Sequence, residues 1–62
     1  MIKRRELIRH LERNGCVLLR QGANHEIWRN RWRKRRAPVP RHREIPLQTA
    51  ISICRLLDIP EL

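Results

Sequence analysis

The sequence has few side chains that could serve as catalytic nucleophiles. It contains no tyrosine, and its only other hydroxyl residues are Thr49 and Ser52. Both lie in a predicted helix, which argues against a serine nucleophile with a triad. The 6 acidic residues are scattered, which argues against paired catalytic carboxylates, and no Cys-x-x-Cys, His-Glu-x-x-His, phosphate-loop or Gly-x-Gly-x-x-Gly motif is present. Three histidines remain as candidates for chemistry.

Long apolar runs are absent as well. None approaches the roughly 20 residues of a membrane-spanning helix, and no secretory apolar segment follows the basic residues 1–5. We therefore expect a cytoplasmic protein that does not enter a membrane, with reduced Cys16 and Cys54 packed as small hydrophobic residues. A zinc site joining both cysteines to His25 and His42 is an alternative, although the close ligand pairs of known zinc motifs are missing.

Positive charge is what the sequence has in excess. Fifteen Lys and Arg residues oppose 6 acidic residues, giving a formal charge of +9. Residues 29–43 contain no acid, and their basic residues are Arg29, Arg31, Arg33, Lys34, Arg35, Arg36, Arg41 and Arg43. Such a surface is typical of proteins that bind polyanions: nucleic acid, an anionic membrane surface or an acidic protein.

Hydrophobic periodicity predicts a helix at each end of the chain. Residues 3–14 carry a narrow apolar stripe, and Gly15 follows where a left-handed C-terminal cap belongs. Near the other end, Pro46 suits the first turn of a helix that ends at residues 58–60. Its buried stripe is expected to comprise Ala50, Ile53, Cys54 and Leu57.

Three strands are predicted between the helices. Residues 16–19 form a short apolar run, residues 21–24 a turn, and residues 25–29 the returning strand. A charged turn at residues 30–36 precedes a third strand at residues 37–41. Because Pro38 and Pro40 lack N–H donors on the same side of this strand, we expect it at a sheet edge.

These elements make one α+β domain over residues 1–62, ordered α-β-β-β-α. A chain of this length buries only about 60% of its unfolded surface, so the core must be thin. The simplest arrangement lays both helices on one face of a three-stranded antiparallel sheet and leaves the other face open. Trp28 is expected on that open face, because it points away from Ile27.

His25 is the most favourable of the three histidines for catalysis. It follows residues 22–24 of the tight turn and begins a strand, which would hold its ring on a rigid element. If Ile27 pairs with Val39, Arg41 lies opposite His25, and its charge would favour the neutral imidazole. A neutral histidine beside a phosphate-binding arginine suits RNA cleavage, but spacing alone favours a merely polar strand residue.

The other two histidines and the second tryptophan are open to more than one interpretation. His10 is interpreted as a surface or boundary residue of the first helix. His42 follows the third strand and could touch phosphate or a neighbouring turn. Trp32, which lies between Arg31 and Arg33, could stack on an unpaired base or fold back over the sheet.

Four segments of the chain form a pattern when they are taken together and in order: residues 3–15, Gly22-Ala23-Asn24-His25, Val39-Pro40-Arg41-His42, and Glu44-Ile45 leading into a helix that ends with residues 54–59. On these segments the sequence resembles the HicA-type toxins, small partners of HicB antitoxins, over nearly its whole length. The arginine-rich turn departs from the family pattern, which usually has Gly or Pro and fewer arginines there. Gln48 also stands where the family often has Gly before Thr49.

The resemblance implies a fold like that of double-stranded-RNA-binding domains and a metal-independent endoribonuclease that needs no cofactor. It implies that His25 is the general base, with Gly22, Asn24 and His42 around it, that the substrate is single-stranded mRNA, and that a HicB-like antitoxin inhibits the toxin. We expect the RNA-binding residues to be Arg29, Arg31, Trp32, Arg33, Lys34, Arg35, Arg36, Arg41 and Arg43. A non-catalytic nucleic-acid-binding module, or a cationic piece of a larger assembly, would use the same surface.

Overall fold

The computed structural model describes residues 1–62 and confirms the predicted α+β arrangement. Its elements are β1 (Ile2–Lys3), α1 (Arg4–Arg13), β2 (Cys16–Gln21), β3 (His25–Asn30), β4 (Arg35–Pro40), β5 (Glu44–Ile45) and α2 (Leu47–Leu56). Both helices begin and end close to their predicted limits. Neither is long and apolar enough to cross a membrane.

The three longer strands form an antiparallel sheet in the order β2-β3-β4. The edge position that Pro38 and Pro40 predict for β4 is confirmed, since only β3 pairs with it. The strands are longer than predicted: β2 continues to Gln21, and β4 already begins at Arg35. Charged residues can extend these strands because their side chains lie exposed in solvent.

Both helices pack on the same face of this sheet. Buried residues of α1, α2 and the sheet form one hydrophobic cluster, made of Leu7, Leu11, Cys16, Trp28, Ala37, Val39, Ile45, Ala50, Ile53, Cys54 and Leu57. All four residues of the predicted α2 stripe are in it. The opposite face of the sheet, called the open face below, carries no helix.

The placement of Trp28 on the open face was wrong. Its side chain is only 5% exposed and lies in the core, on the helix side of the sheet. Trp28 of β3 pairs with Ala37 of β4, and directly opposed residues of antiparallel strands share a face. Burying the indole removes more apolar surface from water than burying Ile27 would, and the indole N–H finds a partner in the Glu26 carboxylate at 3.1 Å.

A second, two-stranded sheet is an addition that the sequence pattern does not reveal. Strand β1 pairs with β5 through Ile2–Ile45 and Lys3–Glu44, and the Arg4 N–H donates to the Arg43 carbonyl at 2.8 Å. These bonds attach the start of α1 to the segment that follows β4. Two-residue strands are too short for alternation to predict them.

Candidate active site and basic surface

His25 is the first residue of β3, and its side chain is exposed. The tight turn before it is closed by a hydrogen bond from the Gly22 N–H to the His25 carbonyl at 2.7 Å. A Cβ atom at position 22 would lie 3.0 Å from that carbonyl oxygen, so the close approach favours glycine. The backbone of His25 is therefore fixed while its imidazole faces solvent.

A shallow groove of about 370 Å³ adjoins this histidine, and we call it the His25 groove. It is lined by Arg20, Gln21, Gly22, Ala23, Asn24, His25 and Ile27. Gly22 and Asn24 thus lie beside the histidine, as the resemblance implies. His42 is exposed in the segment between β4 and β5 and does not line the groove.

The predicted pairing of His25 with Arg41 is wrong by one residue. His25 pairs with Pro40, and Ile27 pairs with Pro38 rather than with Val39. The connecting turn has only residues 31–34, and this register places Val39 on the helix side, where it is fully buried. Arg41 lies beyond the last pair of the ladder, so the proposed cation opposite His25 is absent there.

Arg20, rather than Arg41, supplies a cation on the open face of the sheet, which also carries His25. The register between β2 and β3 shifts between Leu18 and Arg20, leaving Leu19 as an extra residue and placing Arg20 opposite Ile27. His25 and Ile27 are two residues apart in one strand, so Arg20 and His25 share the open face. Sequence reasoning missed Arg20, because a β-bulge in an apolar run leaves no signal in the alternation of residues.

The basic stretch of residues 29–43 is divided between the two ends of the sheet. The turn at residues 31–34 follows Asn30, the last residue of β3. At 3.4 Å per residue, Asn30 lies about 17 Å from His25. Arg29 and Arg36 face each other across β3 and β4 on the open face. Arg41 and Arg43 instead follow β4 at the end where His25 lies.

More positive charge joins that end from outside the basic stretch. A cleft of about 450 Å³ is lined only by Lys3, Arg4, Arg5 and Arg43. Arg4 is already engaged there, since its Nε donates to the Pro40 carbonyl at 2.9 Å and its guanidinium pairs with the Glu26 carboxylate. This contact ties α1 to the ends of β3 and β4 next to His25.

Trp32 lies on the turn at residues 31–34. It shows features of both interpretations, an exposed ring that could stack on a base and a ring that folds back onto the domain. Its side chain is 71% exposed, yet its six-membered ring packs against Gly15 so closely that a Cβ atom there would overlap it. The Arg31 guanidinium carbon lies 5.7 Å from the ring centroid. The indole therefore folds back onto the junction of α1 and β2, with much of its surface still accessible. The neighbouring Arg33 pairs with Asp58 at 3.1 Å.

The residues of the alternative zinc site do not come together. Cys16 and Cys54 are buried, and both are free thiols in the core, whereas His25 is exposed. Burial raises the pKa of Cys16, with a further increase from nearby Cys54, and burial is also the main cause that raises the pKa of Cys54. No three His, Cys, Asp or Glu side chains are clustered. His10 is half-buried, and its Nε2 lies 2.6 Å from the Pro60 carbonyl, a boundary position as predicted.

The order α-β-β-β-α, with both helices on one face of an antiparallel sheet, defines a small α+β domain with the arrangement of double-stranded-RNA-binding domains. Residues 4–59 match the family model described as HicA toxin of bacterial toxin-antitoxin. The chain belongs to this family and is the toxin component of a toxin–antitoxin system. Searches of curated proteins and of solved structures gave no significant match.

Proposed function

We propose that the protein is an endoribonuclease that cleaves mRNA with His25 as the general base. The observation that carries the proposal is the position of His25: it is the histidine held at the start of a sheet strand, exposed on the open face beside a cationic groove. Membership of the HicA toxin family supports the assignment, because His25 occupies the Gly-x-Asn-His pattern that the family resemblance rests on.

The proposed reaction is a transesterification at phosphorus. The neutral imidazole of His25 accepts the proton of a ribose 2′-hydroxyl, and the 2′-oxygen attacks the adjacent phosphate. The bond between 2′-oxygen and phosphorus forms while the bond from phosphorus to the 5′-oxygen breaks. The departing 5′-oxygen takes a proton from solvent, leaving a 2′,3′-cyclic phosphate and a 5′-hydroxyl. Positive groups on the same face would stabilise the charge that develops on the phosphate oxygens.

The shape of the open face favours a single-stranded substrate. A single strand can lie along an uncovered sheet with its phosphates near arginine side chains, and it can expose the 2′-hydroxyl in line with the scissile bond. Arg29 and Arg36 lie on this face, and Arg41 and Arg43 lie at its His25 end. The same exposed, cationic face is the surface that an acidic, HicB-like antitoxin would cover, which would exclude RNA from His25. An mRNA substrate places the activity in the cytoplasm.

The test is cleavage of a 5′-labelled single-stranded RNA by the wild type and by His25→Ala, in buffer containing EDTA. We expect the wild type to give products ending in a 2′,3′-cyclic phosphate and His25→Ala to give none. His42→Ala is the matched control, since it removes an exposed imidazole from the same end of the sheet and should cleave normally.

Three results would each contradict a part of the proposal. Cleavage by His25→Ala at the wild-type rate would exclude this histidine as the base. If neither protein cleaves but both bind the RNA, the chain is a non-catalytic nucleic-acid-binding module. If the wild type cleaves with Mg²⁺ but not with EDTA, the mechanism is not metal-independent. The role of His25 is then tested by comparing wild type with His25→Ala in Mg²⁺.

A further inference from the structure

We propose that Arg20 is the residue that binds the phosphate being cleaved, acting as the cationic partner of His25. This inference rests on the proposed function and adds to it a residue that lies outside both the basic stretch and the Gly-x-Asn-His pattern. Three observations carry it: the bulge in β2, the shared groove, and the absence of a carboxylate partner.

The bulge decides on which face Arg20 lies. Cys16, Val17 and Leu18 pair with β3 in a regular register, and continuing that register would place Arg20 opposite Glu26, on the helix side. The extra residue at Leu19 moves Arg20 opposite Ile27, and therefore onto the open face with His25. β-Bulges are frequent beside active sites, where they redirect a side chain in this way.

The groove brings the two side chains to one ligand site. Arg20 and His25 are the only ionisable residues among those that line the His25 groove. A diagonal pair on one sheet face is separated by about 7–8 Å at Cα, which leaves room for a phosphate between an imidazole and a guanidinium. The planar guanidinium can donate two parallel hydrogen bonds to the two non-bridging phosphate oxygens.

No other arginine combines this position with a free guanidinium. Arg4 is held by Glu26 and the Pro40 carbonyl, and Arg41 lies outside the ladder. Arg29 is four residues from His25 along β3, about 14 Å away. Arg20 is exposed and takes part in none of the three ion pairs of the structure.

In the proposed step Arg20 transfers no proton. It remains protonated while His25 takes the 2′-hydroxyl proton and the phosphorus bonds exchange. Its two N–H groups hold the non-bridging oxygens and stabilise the extra negative charge of the pentacoordinate transition state. The interaction is stronger in the transition state than in the ground state, so its loss should lower kcat more than it raises KM.

The experiment compares four proteins in single-turnover RNA cleavage: wild type, Arg20→Gln, the exchange Arg20→Gln/Gln48→Arg, and Arg9→Gln as the control, an exposed arginine of α1 outside the groove. The exchange keeps composition and net charge but moves the guanidinium to an exposed position of α2, on the helix side of the sheet and outside the His25 groove. Binding of a 2′-O-methyl RNA, which cannot be cleaved, measures affinity separately. Circular dichroism confirms that each variant is folded.

We expect Arg20→Gln to lower kcat about 100-fold, as the loss of one such donor does in other enzymes, with little change in binding of the 2′-O-methyl RNA. The exchange should cleave as slowly as Arg20→Gln, and Arg9→Gln, which removes one positive charge away from the groove, should leave kcat unchanged. Equal cleavage by Arg20→Gln and wild type, or recovery in the exchange, would overturn the inference while His25 keeps its role. If the wild type itself does not cleave, the proposed function fails, and this inference fails with it.

Discussion

At the scale of single residues, the contact between Gly15 and Trp32 joins two features that are 17 positions apart in the sequence. Gly15 ends α1 in the left-handed region, with φ of 81°, as its predicted role as a helix cap requires. It also forms the surface against which the Trp32 ring packs. The position therefore excludes side chains for two independent reasons, backbone conformation and space.

Replacing Gly15 with alanine should separate these two reasons. A Cβ atom in the left-handed region costs about 1–2 kcal/mol, and overlap with the Trp32 ring adds to that loss. In a Trp32→Ala background, the overlap disappears and only the backbone cost remains. Chemical denaturation of the four proteins of this cycle gives the coupling. A Gly15→Ala cost that is unchanged by Trp32→Ala would show that the ring does not constrain the site.

Asn30 is a second residue whose role depends on tertiary contacts. Its side chain is buried, donates to the Leu57 carbonyl at 2.8 Å and accepts from the Trp32 N–H at 3.0 Å. It thereby joins the end of β3 to the end of α2. The sequence places Asn30 in the charged turn, where asparagine is common and carries no such information.

We expect Asn30→Ala to destabilise the fold by about 2 kcal/mol, because it leaves a buried carbonyl and a turn N–H without partners. Asn24→Ala, at an exposed turn position, is the control and should change the free energy of unfolding by less than about 0.5 kcal/mol. Urea unfolding followed by circular dichroism measures both. Similar values for the two variants would contradict the structural role of Asn30.

At the scale of elements, the prolines of β4 protect the outer edge of the sheet. Pro38 and Pro40 pair with Ile27 and His25 on the inner side and offer no N–H donors on the outer side. Proline at this edge therefore stops another strand from adding to the sheet next to His25.

Pro38→Val restores an outward N–H donor in a residue that favours strands, so we expect concentration-dependent self-association. Light scattering coupled to gel filtration should show a mass that rises with protein concentration, while the wild type keeps a constant mass. Pro60→Val, an exposed substitution outside the sheet, is the control and should behave like the wild type. A constant mass for Pro38→Val would show that the edge is protected by something other than proline.

At the scale of the whole molecule, a charge of +9 is distributed over both ends of the sheet rather than gathered around His25. An RNA strand that contacts both ends must cross the open face. If it makes about six phosphate contacts, log Kd should change with log salt concentration with a slope of about 4 in magnitude. Titration of a 2′-O-methyl RNA by fluorescence anisotropy at several salt concentrations measures this slope. A response independent of salt would refute binding through the basic surface.

Because of the two buried thiols, the stability of the whole molecule varies with pH in the alkaline range. Their pKa values are raised in the folded state, mainly by burial, so the folded state binds their protons more tightly than the unfolded chain does. The part of the folding stability that depends on protonated thiols is fully present below the ordinary thiol pKa of 9.0 and is lost as pH rises above it. The chain has no tyrosine, whose titration would overlap this range.

We therefore expect the free energy of unfolding to fall above about pH 9, and the fall to be shallower in Cys16→Ala and in Cys54→Ala. Each variant also loses stability at all pH values because it leaves a cavity, so the comparison is between slopes and not absolute values. Urea unfolding under reducing conditions from about pH 7 to about pH 10 provides the data. Parallel curves for wild type and variants would contradict the prediction.

The sequence by itself determined the fold class, the order of the two helices and the three longer strands, and the edge position of β4. These follow from local properties: apolar periodicity of 3.6 in α1 and α2, glycine at the end of α1, and missing donors at Pro38 and Pro40. It also singled out His25, through the turn that precedes it and the family pattern. Local signals suffice here because each acts within a few residues of chain.

Only the tertiary structure decided which side chains of the neighbouring strands lie beside His25. The register of β3 against β4 is set by competition between Trp28 and Ile27 for the core, and a shift of one residue moved Arg41 away. The bulge at Leu19 depends on the pairing of β2 with β3, and it brought Arg20 to the open face. Strand pairing is a contact between distant segments and is settled by the burial of both faces together, so no local pattern specifies which residues of β2 and β4 lie beside His25.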